Sequence, residues 1–143
     1  MERKRVMIVD DAAMMRLVVN NMLSGDPHLH VAGFAANGRE ALDRLAQVQP
    51  DLILLDIEMP EMDGLEFLRH ARLKSEARVV VLTSVAPLGS PKAMQAYALG
   101  ADAVISKPSG AVSYDLEEKC GCELVQTIYK LLEIEENGIA LQG

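Results

Sequence analysis

A chain of 143 residues has room for one domain with an ordinary buried core, since single domains cluster near about 100 to 150 residues. With 50% hydrophobic and 24% charged residues it reads as globular and not disordered, and a net charge of −7 with a pI of about 4.9 excludes a basic footprint for nucleic acid or anionic lipid. No apolar stretch approaches the roughly 20 residues that span a bilayer, and the amino terminus lacks a signal-peptide core with a cleavage site, so no membrane partner and a cytoplasmic location are expected.

In chain order, Glu2-Arg3-Lys4-Arg5 reads as a solvated lead-in to a first strand near Arg5 to Val9, which ends on Asp10 and Asp11. Ala12 to Leu23 has helical periodicity until Ser24-Gly25-Asp26-Pro27 stops it. Leu29 to Ala35 reads as strand two, and Gly38 to Val48 as helix two, closed by Pro50. Strand three, Asp51 to Leu55, is an almost continuous apolar run of the kind buried on both faces, and Asp56 follows it. After the turn Met59-Pro60-Glu61-Met62-Asp63-Gly64 comes a helix from about Leu65 to Leu73, then strand four at Arg78 to Leu82. Ser90 as N-cap and Pro91 at the first helical position start a helix that ends at Gly100. Ala103 to Ile105 is a short fifth strand, and the last helix runs from about Asp115 to Glu133. Residues 134–143 read as a tail or the start of a linker, which leaves 1–133 as the domain.

Cys120 and Cys122 are separated only by Gly121, neither the redox spacing nor half of a zinc site, and are read as free thiols in a reducing compartment. Five strands and five helices in strict alternation give an α/β, doubly wound, flavodoxin-like fold with a parallel sheet. The order 2-1-3-4-5, with its crevice between strands one and three, is taken from known folds of this class and not from this sequence.

Strands that carry acids at their carboxyl ends converge on that crevice, so Asp10, Asp11 and Asp56 are expected to be spatial neighbours. At about 4 to 5 Å and an effective dielectric of about 20, each like-charged pair repels by roughly 3 to 4 kcal/mol. A cation is expected there, and oxygen-only ligands suit Mg²⁺, which recruits phosphate as a further ligand. Thr83 and Lys107 end strands four and five on the same edge. Together these groups suit phosphoryl transfer to a carboxylate: Asp56 as nucleophile, Asp10 and Asp11 holding metal directly or through water, Lys107 as a second positive charge, and Thr83 as a donor to the arriving phosphoryl group. Each residue has a plainer role. Asp11 before Ala12-Ala13-Met14 would serve as an N-cap, Thr83 as a strand end, and Lys107 before proline as a solvated cation. Five such groups on one edge outweigh those separate explanations.

Val9-Asp10-Asp11, the run Leu54-Leu55-Asp56-Ile57-Glu58-Met59-Pro60-Glu61-Met62-Asp63-Gly64, Leu82-Thr83-Ser84 and Ser106-Lys107-Pro108 give the chain its resemblance to a bacterial two-component response-regulator receiver domain, over about residues 4–133. The resemblance implies that Asp56 accepts a phosphoryl group from a histidine kinase, and that Asp10 and Asp11 belong to the Mg²⁺ site. It implies Asp11, Asp56 and the backbone carbonyl of Glu58 as direct protein ligands, Thr83 as switch hydroxyl and Lys107 as the invariant cation. The Lys107-Pro108 bond is expected to be cis. The face made by helix four, strand five and helix five would bind an output domain or downstream protein, or a second copy of the chain.

Lys107-Pro108-Ser109-Gly110-Ala111-Val112-Ser113 resembles receivers fused to a chemotaxis protein-glutamate methylesterase. No esterase domain with its serine motif is present in the 143 residues, so the expectation is a receiver from a larger regulator or a free-standing one, catalysing only its own phosphoryl transfer and dephosphorylation. Receivers commonly carry an aromatic residue three positions before the lysine. Here that position is Val104, so signalling is expected through Thr83 and the loop Ser84 to Gly89. The Glu58 side chain either lies near the water path to an acyl phosphate or is simply solvated. Two rivals share some of these features. A haloacid-dehalogenase-type phosphatase would match Asp56-Ile57-Glu58 but not the paired acids on strand one. A flavin module would need a neutral phosphate loop where Asp10 and Asp11 stand.

Overall fold

In the computed structural model, which describes residues 3–56, 64–83, 91–106 and 124–133, the apolar runs form strands β1 (Lys4–Val9), β2 (Leu29–Ala35), β3 (Leu52–Asp56), β4 (Arg78–Thr83) and β5 (Ala103–Ser106). Helices α1 (Ala13–Ser24), α2 (Gly38–Val48), α3 (Gly64–Lys74) and α4 (Pro91–Ala98) separate them, and α5 occupies 124–132. All pairings are parallel and the order is β2-β1-β3-β4-β5, as expected.

Side chains alternate across a strand with a period of two, and the two resulting faces carry separate cores. Met7, Val9, Ile53, Leu55, Val79 and Val81 pack with Leu45 of α2, Phe67 and Leu68 of α3, and Ala93 and Ala96 of α4. Val6, Ile8, Leu52, Leu54, Val80 and Leu82 pack on the other face with Val19 and Leu23 of α1 and Leu124 and Ile128 of α5. Every residue of β3 is buried, which is why its sequence shows no polar alternation.

Several boundaries differ from expectation for one reason. Strands are defined by backbone pairing, and pairing continues through residues whose side chains look terminal. β1 begins at Lys4, β3 runs through Asp56, β4 through Thr83 and β5 through Ser106. Asp51 lies outside β3 instead, with its carboxylate accepting the Arg5 N–H at 2.8 Å. α2 has the expected bounds, with Asn37 as N-cap accepting from Glu40 N–H at 2.8 Å and Gln49 ending it in the left-handed region at φ 46°. α4 starts at Pro91 as expected. It ends at Ala98, before Gly100, through a Schellman turn: Ala101 N–H donates to Ala96 O at 2.9 Å and Gly100 N–H to Tyr97 O at 3.1 Å. The turn 59–63, Ser90, the Lys107-Pro108 bond, residues 115–123 including Cys120 and Cys122, and the tail 134–143 lie outside the described residues.

Candidate functional site

The register that pairs Val9 with Leu55 sets Asp10 across from Asp56 on adjacent strands, which lie about 4.8 Å apart in any sheet. Both carboxylates share the parity of Ile8 and Leu54, so they lean toward the same face. Asp10 and Asp56 are 2% and 1% exposed, whereas Asp11, one residue on, is exposed. One carboxylate oxygen from each of the three lies within 4.8 Å of the others.

The Asp10 backbone and side chain are fixed from three directions. Its N–H donates to Ala35 O at 3.0 Å on β2, its Oδ1 accepts from Ala12 N–H at 2.9 Å, and its carbonyl accepts from Arg16 Nη1 at 2.7 Å. The bond to Ala12 overturns the N-cap role considered for Asp11. The N-cap of α1 is Ala12, with no side-chain cap, because Asp10 closes the turn two residues ahead and leaves the Asp11 carboxylate to the crevice.

Two buried carboxylates within 4.8 Å repel by roughly 3.5 kcal/mol or more at an effective dielectric of about 20. An all-oxygen anionic set of this kind fits a hard divalent cation. Opposite ligands of an Mg²⁺ octahedron stand about 4.2 Å apart, twice an Mg–O distance of about 2.1 Å. A span of 4.8 Å is slightly wider, so the trio fits an ion that two carboxylates touch and one reaches through water.

The structure thus brings together Asp10, Asp11 and Asp56 as expected, and places Thr83 on the same edge. Thr83 pairs with Ser106, one step past the pairing of Asp56 with Leu82. Glu58 and Lys107 lie outside the described residues. Arg16 was not anticipated. Its only signal in the sequence is a cation in the second turn of the helix that follows the acids.

A doubly wound parallel sheet with a carboxylate cluster at the carboxyl ends of β1 and β3 defines an α/β module with an acidic site that a divalent cation fits. Residues 6–116 match the response regulator receiver domain, and the chain belongs to that family. It is 49% identical over 112 residues to the protein-glutamate methylesterase/protein-glutamine glutaminase of Treponema pallidum, an alignment covering 78% of this chain and 28% of that protein. The chain therefore spans under a third of that relative's length. The response regulator domain of Thermotoga maritima CheB superposes with a TM-score of 0.85 at 32% identity, covering 94% of this chain and 100% of that one. A chain from the complex of the CheA3 P1 domain with CheY6 of R. sphaeroides gives a TM-score of 0.76 at 54% identity, covering 92% and 98%. Among the described residues no helix is long and apolar enough to cross a membrane.

Proposed function

We propose that residues 1–133 are a phosphorylation-operated switch of a chemotaxis-type two-component pathway, in which Asp56 accepts a phosphoryl group from a kinase histidine with Mg²⁺ present. The carrying observation is the burial of Asp56 and Asp10 side by side with Asp11 at the mouth. Three carboxylates within 4.8 Å are a poor arrangement for an empty surface and a good one for a cation-assisted reaction at one of them. Asp56 ends the central strand, held between β1 and β4, which fixes its position.

In the proposed step an Asp56 carboxylate oxygen attacks phosphorus as the N–P bond of a phosphohistidine breaks. The electron pair returns to the imidazole, and an acyl phosphate forms on Asp56. Asp11, Asp56 and the Glu58 carbonyl, with Asp10 through water, would hold Mg²⁺, which would supply charge neutralisation for the transferring group. Lys107 pairs with a phosphoryl oxygen and Thr83 donates a hydrogen bond to another. The new charge of about −1.5 to −2 then biases the loop after Thr83 and the face of α4, β5 and α5.

The likeness to the chain from the CheA3 P1–CheY6 complex supports a phosphotransfer domain of a chemotaxis kinase as donor. The likeness to methylesterases supports an esterase domain as output in a longer cytoplasmic protein; a free-standing receiver that pairs with itself is the alternative. Acetyl phosphate with Mg²⁺ should label the protein at one site. Asp56→Asn should abolish labelling, as should chelation of the metal. Undiminished labelling of the Asn variant would sink the assignment.

A further inference from the structure

We propose that Arg16 is a positioning residue for the cation site: by holding the carbonyl of Asp10 it fixes where Asp11 stands, and so sets the preference of the site for Mg²⁺ over larger divalent ions. The inference rests on the reading of the three acids as a metal site. It adds a residue outside the acids, on another element.

The Asp10 carbonyl and the Asp11 amide share one rigid peptide plane. Arg16 Nη1 donates to that carbonyl at 2.7 Å, from a helix whose own backbone is tied to the same turn by Arg16 N–H to Ala12 O at 3.0 Å. Asp10 has further anchors in Ala35 O and Ala12 N–H. Asp11 is exposed, and among the described residues no hydrogen bond or ion pair holds its carboxylate. The placement of Asp11 therefore comes through its backbone: the Asp10 carboxylate holds the plane leading out of it through Ala12 N–H, and Arg16 grips the plane leading into it.

Geometry is what Mg²⁺ reads. It demands a near-ideal octahedron at about 2.0 to 2.1 Å, whereas Ca²⁺ accepts six to eight oxygens at about 2.3 to 2.6 Å with loose angles. The trio spans up to 4.8 Å, already wider than the roughly 4.2 Å between opposite Mg²⁺ ligands, so loosening Asp11 penalises Mg²⁺ first. A purely electrostatic role for Arg16 gives the opposite sign. Removing a nearby positive charge would strengthen both ions by a similar factor.

Calorimetric titration of the wild-type chain and of Arg16→Gln and Arg16→Met with MgCl₂ and with CaCl₂ tests this. Mg²⁺ affinity should fall by about 10-fold, the scale of an outer-sphere loss, while Ca²⁺ affinity stays within about 2-fold. Arg16→Lys, which keeps a donor for the carbonyl, should recover most of the Mg²⁺ preference. Equal changes for both ions, or no change, overturn the proposal while leaving the metal site standing. Wild-type protein that binds neither ion overturns the metal site itself, and this inference with it. Circular dichroism of each variant identifies one that has unfolded, in which case Arg16→Lys against wild type carries the comparison: a partial loss confined to Mg²⁺ supports the positioning role, and unchanged affinities or equal changes for both ions overturn it.

Discussion

Asp10 combines a structural role with an electrostatic one, and a single substitution separates them. Its Oδ1 accepts the Ala12 N–H at 2.9 Å, a bond that an asparagine oxygen can also make, while its charge lies within 4.8 Å of two others. Asp10→Asn should therefore fold, and without divalent ions it should be more stable than wild type by about 1 to 3 kcal/mol, because a buried like-charge contact is relieved. With Mg²⁺ at about 100 times its dissociation constant, wild type should gain about 2.7 kcal/mol and the variant far less. Urea unfolding with and without Mg²⁺ checks both halves, and a wild type already the more stable in chelator would show that the acids are not in conflict. This adjacency was legible in the sequence, since two apolar runs ending on acids must, in parallel register, bring those acids together. The Arg16 bond was not. A guanidinium reaching back to a strand-end carbonyl depends on the angle at which α1 leaves β1, for which the five intervening residues give no pattern.

At the level of elements, the junction from α4 to β5 shows what local rules can and cannot supply. Gly100 was expected as the helix stop, and it sits at φ 113°, where a Cβ would stand 2.6 Å from Arg72 Cδ of α3. Arg72 has little room to yield, because its Nη2 donates to the Ala77 carbonyl. Gly100→Ala should cost about 1 to 3 kcal/mol through the left-handed backbone alone, measurable as a lower urea midpoint with unchanged m-value. Val104, by contrast, stands in the sequence as a position of strand five that lacks the usual aromatic. In the fold its N–H is accepted by the Tyr97 hydroxyl of α4 at 3.2 Å, so an aromatic side chain does meet this edge strand, from the neighbouring helix. Tyr97 is 46% exposed and Val104 6%, so Tyr97→Phe should strand a buried amide and cost about 1 kcal/mol, with faster hydrogen exchange at Val104 as the specific readout. Strand ends were misjudged for a related reason. Asp56 looks terminal because it is polar, yet its backbone pairs with Leu82 as any apolar residue would.

Across the whole molecule, α5 closes the face that α1 opens, and one polar contact ties them. Tyr129 donates its hydroxyl to Asp26 Oδ2 at 2.6 Å across 103 positions of sequence, and Asp26 Oδ1 accepts the His28 N–H at 2.8 Å. The His28 ring meets Tyr129 edge-on at 5.7 Å and 87°. Nothing local forecasts this: Asp26 reads as a turn residue and Tyr129 as one more apolar position on a terminal helix, and only the winding of the sheet sets them together. The turn that holds Asp26 leads into β2, at the amino edge of the sheet, opposite the acids that lie at the carboxyl ends of β1 and β3. Tyr129→Phe removes a hydrogen bond to a charged acceptor and should lower stability by about 1.5 to 3 kcal/mol. Because the tether and the acids occupy opposite edges of a rigid parallel sheet, the same variant should bind Mg²⁺ with wild-type affinity below its unfolding range. A variant that lost cation affinity in proportion to stability would instead mean that the docking of α5 reaches the crevice, making the last helix part of the site and not only of the scaffold.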